Sequence, residues 1–118
     1  MDDTESHLRK FHKELSAGIV SLVLLGVLAR ARTPMYGYQI VKRLEQTGEG
    51  VLSDKQSALY PVLRNLAAAG LLDSEVEPSV TGPPRRYYRI TLLGRRVLRD
   101  WSLAWIATRD FVNTVLED

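Results

Sequence analysis

The chain predicts a mainly α domain with one small β-hairpin. Two observations carry that expectation: apolar residues recur at helical spacing over several stretches, and the period changes to two on either side of the turn-rich run Pro78 to Pro84. A third bounds it, since 118 residues hold one compact core, or one small domain plus a long terminal helix, and leave no room for a multidomain enzyme. At 45% hydrophobic and 25% charged the composition is that of an ordinary globular chain, and no internal repeat points to a solenoid or propeller. The absence of cysteine excludes disulfide scaffolds, thiolate zinc sites, iron-sulfur clusters and a cysteine nucleophile, and makes the cytoplasm the expected compartment.

Residues 4–14 are polar and basic, with Leu8, Phe11 and Leu15 at helical spacing, so residues 1–15 read as a short amphipathic arm. Ser16 is placed to cap a first helix reaching about Ala31. Its Ile19, Val20, Leu22, Val23, Leu24, Val27 and Leu28 are apolar nearly all round, which puts it inside. The apolar run from Ile19 to Ala29 is 11 residues, short of the roughly 18 to 20 of a membrane span. The acidic opening Met1-Asp2-Asp3-Thr4-Glu5 does not resemble a secretory signal, and no membrane partner is expected.

Thr33-Pro34 reads as a cap followed by proline at the first helical position, opening a second helix through Tyr36, Ile40, Val41 and Leu44 to about Gln46, stopped by Gly48 and Gly50. Ser53 and Gln56 form a capping box for a third helix that runs to Ala69 and ends at Gly70, a natural left-handed cap. Pro61 removes one internal N–H, so a kink is expected near Tyr60. Around this helix Leu59, Val62, Leu63 and Leu66 share one side, and Ser53, Ser57, Tyr60 and Arg64 the other.

Beyond Gly70, Leu72, Ser74 and Val76 alternate with Asp73, Glu75 and Glu77, and Arg86, Tyr88 and Ile90 with Tyr87, Arg89 and Thr91, which makes a hairpin. Thr91 then caps a last helix with Val97, Trp101, Ala104, Thr108, Phe111 and Val115 at 4-3 spacing and Leu98, Trp105 and Val112 beside them. That stripe is too wide for one small domain to cover, so a homodimer through the last helix is expected, with Leu8 and Phe11 of the arm packing on the partner.

Three helices followed by a hairpin is the order of a winged helix-turn-helix, here over residues 16–91, with residues 1–15 as arm and 92–118 as the dimerisation helix. The net charge is only +2, from 16 basic and 14 acidic residues, yet Arg85, Arg86, Arg89, Arg95, Arg96 and Arg99 fall together with no acid between Arg85 and Arg99. A local basic face on a nearly neutral chain fits a polyanion.

The wording is more specific than the order. Pro34-Met35-Tyr36-Gly37-Tyr38-Gln39-Ile40, Leu59-Tyr60-Pro61-Val62-Leu63-Arg64-Asn65-Leu66, Gly70-Leu71-Leu72, and Gly82-Pro83-Pro84-Arg85-Arg86-Tyr87-Tyr88-Arg89-Ile90-Thr91 with Gly94 resemble the PadR family of bacterial transcriptional regulators over about residues 17–99. The short single C-terminal helix is similar to the smaller PadR subgroup. The resemblance implies a DNA-binding homodimer, usually a repressor of a pseudo-palindromic operator in double-stranded DNA, with the third helix in the major groove and the wing on the backbone. Expected DNA contacts are Tyr36, Tyr38, Lys55, Gln56, Ser57, Tyr60, Arg64, Arg85 and Arg86, with Arg64 and Gln56 reaching base edges and Tyr36, Tyr38, Arg85 and Arg86 holding phosphates. Where relatives often have Gly-Thr before Leu-Tyr-Pro, this chain has Ser57 and Ala58, so Ser57 stands in for the missing hydroxyl. Trp101 and Trp105, four apart on the interface helix, either pack as ordinary core or line a slot for a small aromatic effector.

Blander roles compete at several positions. Tyr60 can pack the third helix, Tyr88 belongs with the core, and Arg89 fits a cross-strand ion pair with the acidic strand. Arg85 and Arg86, at the wing tip without a nearby acid, favour DNA. His7 and His12, five apart on different helix faces, make no metal site, and no cofactor is expected. No phosphate loop, Ser-His-Asp set or carboxylate pair supports an enzyme. The competing function is a winged-helix module that binds another protein and no longer binds DNA.

Overall fold

The computed structural model describes residues 3–47 and 56–117. Nothing between Asp3 and Arg30 stops a helix, since proline is absent and the glycines stand singly at 18 and 26. Helix α1 (Asp3–Arg30) accordingly runs unbroken for 28 residues. The cap expected at Ser16, which would have separated arm from helix, is corrected: Ser16 lies mid-helix, fully buried, in one stripe with Val20, Leu24 and Leu28 at successive intervals of four. By length and composition α1 could cross a bilayer, with an 18-residue window of mean hydropathy 1.5. Here it is the central core helix, in contact with α2 (Gly37–Thr47), α3 (Gln56–Ala68), strand β3 (Arg85–Ile90) and α4 (Leu92–Leu116).

A second correction concerns Thr33 and Pro34. They do not open α2; the chain first forms a two-residue strand, β1 (Met35–Tyr36), antiparallel to β3 with Met35 opposite Tyr88 and Tyr36 opposite Tyr87. Met35 is thereby buried against Tyr88, a gain that a Thr-Pro helix start would forgo. Tyr36 then acts as N-cap of α2, and Gln39 three residues on reaches back with its side-chain oxygen to accept the Tyr36 N–H at 3.1 Å, half of a capping box.

The stop signals expected at Gly48 and Gly50, the Ser53 cap and Lys55 lie outside the described residues. Helix α3 continues through Pro61, whose ring is on the exposed side. It ends as expected: Gly70 has φ +82°, the Leu71 N–H donates to the Leu66 carbonyl and the Gly70 N–H to the Ala67 carbonyl, both at 3.0 Å. This is a Schellman motif, and the buried pair Leu66 and Leu71 closes it.

Strand β2 (Leu72–Glu77) pairs antiparallel with β3 from Leu72 opposite Ile90 to Glu77 opposite Arg85, giving the sheet order β1-β3-β2. The hairpin is thus part of a three-stranded sheet. Only part of it is core: Leu72 and Tyr88 are buried while Ser74 and Val76, on the same face, are exposed. Thr91 caps α4 as expected, accepting the Gly94 N–H at 2.9 Å. The same hydroxyl donates to the Gly70 carbonyl at 2.7 Å, tying the end of α3 to the start of α4. Gly94 is required there, because a Cβ would overlap the Leu71 carbonyl and the Ile90 side chain. The whole is a winged helix-turn-helix followed by one long C-terminal helix.

Candidate nucleic-acid interface

Helix α3 sorts its side chains as its periodicity requires. Leu59, Leu63 and Leu66 are buried against α1, Val62 is half-buried, and Arg64 and Asn65 face solvent. Gln56 and Ser57 open the helix in its first turn. Tyr60 departs from the expected outer side. It is half-buried and packs on the core, with its ring against Gly37, where a Cβ would overlap it. The absence of a side chain at Gly37 is what lets the start of α2 sit on α3, so Tyr60 has a packing role whatever else it touches.

Strand β3 alternates sharply. Arg86, Tyr88 and Ile90 lie on the core face, and Arg85, Tyr87 and Arg89 on the outer face, opposite Glu77, Glu75 and Asp73. Arg85 and Arg86 open the returning strand directly after the wing-tip loop of residues 78–84, and they lie on opposite faces of it. Arg85 is not remote from acids, since Glu77 stands opposite it in the register. Its guanidinium lies instead over the Tyr36 ring, Cζ 4.6 Å from the centroid, a contact worth about 0.5–1 kcal/mol at an exposed site. Arg86 donates to Ser74 Oγ at 3.0 Å, which steadies the wing on its α3 side. Arg89 pairs across the strands as expected, though with Asp73, directly opposite, rather than Glu75 or Glu77; at 3.7 Å and well exposed it contributes at most about 1 kcal/mol.

The start of α2 and the wing are joined by aromatic rings that sequence reasoning found only in part. Tyr36 stacks on Tyr38 with centroids 6.4 Å apart and meets Tyr87 edge-on at 5.4 Å. Lys42 Nζ sits 5.5 Å from the Tyr38 centroid, one helical turn on. Tyr87 was missed because its partner is 51 positions away, and Lys42 was missed although its i, i+4 spacing from Tyr38 could have shown it. Beyond them opens a groove of about 620 Å³ between the end of α1 and α2, lined by Arg30, Arg32, Lys42 and Arg43 together with both tyrosines.

The last helix divides in two. Val97 and Leu98, expected at a dimer interface, are half-buried against the core of their own protomer, because α4 begins by crossing α1 there. From Trp101 onward the apolar side chains are exposed, among them Trp105, Phe111, Val112 and Val115, and also Leu103, Ile106 and Leu116, which the 4-3 stripe omitted. Leu8, Phe11 and Leu15 of α1 are exposed as well. Trp101 and Trp105 line an open apolar groove of about 550 Å³ whose other wall is Leu15, Ile19 and Leu22 of α1. No group of metal-ligating side chains occurs among the described residues.

The description of the transcriptional regulator PadR-like family matches residues 24–100, more than half of the chain. The chain belongs to the PadR family. Among solved structures, the PadR family transcriptional regulator of Eggerthella lenta DSM 2243 is 35% identical and superposes with a TM-score of 0.80, covering 97% of this chain and 96% of its own. The PadR-like transcriptional regulator of Bacillus cereus strain ATCC 14579 shares the fold at 24% identity, with a TM-score of 0.72 over 89% of this chain and 98% of its own. Uncharacterized protein X of Lysinibacillus sphaericus is 26% identical over 97 residues, 82% of this chain and 86% of its own. As a PadR-like protein the chain is a transcriptional regulator and not an enzyme.

Proposed function

We propose that this PadR-family protein is a sequence-specific DNA-binding repressor, which acts in the cytoplasm as a homodimer on a pseudo-palindromic operator and is released by a small aromatic effector. The observation that carries the DNA reading is the tract formed by Arg85, Tyr36, Tyr38 and Lys42, which links the wing to the start of α2; on α3, Arg64 is exposed. Cations fixed over aromatic rings are pre-oriented for phosphate oxygens and lose little freedom on binding. In this reading α3 enters the major groove, with Arg64 and Gln56 at base edges and Lys55, Ser57 and the part-exposed Tyr60 alongside, while Tyr36, Tyr38, Arg85 and Arg86 hold the backbone.

Dimerisation rests on the exposed apolar half of α4 and the exposed Leu8 and Phe11 of α1, which one protomer leaves uncovered. The effector reading rests on the groove beside Trp101 and Trp105, whose flat rings suit a planar apolar compound. The test is unbiased selection of bound DNA from random duplexes. The expected product has two half-sites in inverted repeat, about 10 base pairs or a multiple apart; absence of any enriched sequence would instead favour the protein-binding module.

A further inference from the structure

The basic groove at the end of α1 continues from the tract just described, sharing Tyr36, Tyr38 and Lys42 with it and adding Arg30, Arg32 and Arg43. Its wall brings together Arg30 at the end of α1, Arg32 just beyond it, and Lys42 and Arg43 from the outward side of α2. Among the described residues no carboxylate lines it. Lys42 has Glu45 at 3.9 Å, an exposed i,i+3 pair too long and too solvated to hold the ammonium away from a stronger anion. The groove is also continuous with the proposed interface, because Tyr36 and Tyr38 form its wall and Tyr36 carries Arg85 on its ring. A polyanion held by Arg85 and passing over the two tyrosines to Lys42 is led on to three further cations, Arg30, Arg32 and Arg43.

We infer that this groove is a second anchoring site for the DNA backbone, in which Arg30, Arg32, Lys42 and Arg43 hold phosphates separate from those at the wing. The inference rests on the DNA-binding reading above and extends its footprint. Because the contacts are to phosphate, they add affinity without sequence preference.

The experiment compares full-length wild type, the double variant Arg30→Ala/Arg32→Ala and the charge-matched Lys10→Ala/Lys13→Ala on a mixed-sequence 40-base-pair duplex, with affinity followed against salt. Lys13 is 17 positions before Arg30 on the same straight helix, about 25 Å away. The expected result is a salt slope shallower by about one unit for each contact removed, roughly four for a dimer, and little change in the lysine variant. Hydroxyl-radical footprinting should show protection lost at nucleotides different from those lost in Arg85→Ala. An unchanged slope, or an equal change in the lysine variant, overturns the anchoring site while leaving the DNA reading intact. A wild type that binds no duplex overturns both.

Discussion

Gly94 and Thr91 hold the winged domain to its last helix through very few atoms. A methyl group at Gly94 must displace the Leu71 carbonyl, which is backbone and already accepts the Thr91 N–H at 3.1 Å. Gly94→Ala should therefore cost about 2–3 kcal/mol, the upper part of the range for forced overpacking, read as a lower urea midpoint with unchanged m-value. Thr91→Ala loses the cap and the tie to Gly70, an expected loss of about 1–2 kcal/mol by the same measurement. Both residues were legible in the sequence, Thr91 as a cap and Gly94 as a motif residue. The contact between Arg85 and Tyr36 was not, because the two are 49 positions apart and only β1, a strand of two residues, brings them together. Tyr60 shows a related limit: helical periodicity put it on the outer side with packing as the alternative, and only the missing side chain at Gly37 shows which neighbour its ring meets.

Local signals read the elements well where the chain obeys its own period. The alternating faces of β2 and β3 and the Gly70 stop follow from alternation and from a left-handed glycine, whereas the register, which sets Arg89 opposite Asp73, does not. They fail where tertiary burial overrides them, as at Ser16, whose capping preference is worth about 1 kcal/mol and loses to a stripe of leucines and valines that must stay helical to reach the core. Helix α4 shows the same division. Its first turns pack on their own protomer, so Val97→Ala should lower thermal stability by about 1 kcal/mol and leave association unchanged. Phe111 is 69% exposed and outside the core cluster. Phe111→Asp should leave the melting temperature of the winged domain nearly intact while shifting sedimentation from twice the 13.3 kDa chain mass to that mass. If the two variants behave alike, the division of α4 is wrong. Titration with planar aromatic compounds should quench Trp101 and Trp105 and weaken operator binding together; quenching without loss of DNA affinity would make the groove a passenger site.

At the scale of the molecule, a net charge of +2 hides a strong segregation. The outer face of the hairpin alternates Asp73, Glu75 and Glu77 against Arg89, Tyr87 and Arg85, whereas Arg30, Arg32, Lys42 and Arg43 gather on the groove between the end of α1 and α2. The field of such a surface is local and directional, suited to orienting a duplex rather than to coating it. The central claim is that α3 reads bases while the aromatic and basic side beside it holds phosphates. Binding of a selected duplex and of its shuffled counterpart, measured against salt for wild type and Arg64→Ala, tests it most directly. The account predicts a linear fall of log affinity with log salt on both duplexes, at least about 10³-fold preference for the selected one, and loss of about 1–3 kcal/mol of that preference in Arg64→Ala with the shuffled affinity nearly kept. Equal binding of both duplexes by wild type, or affinity that does not change with salt, would contradict it.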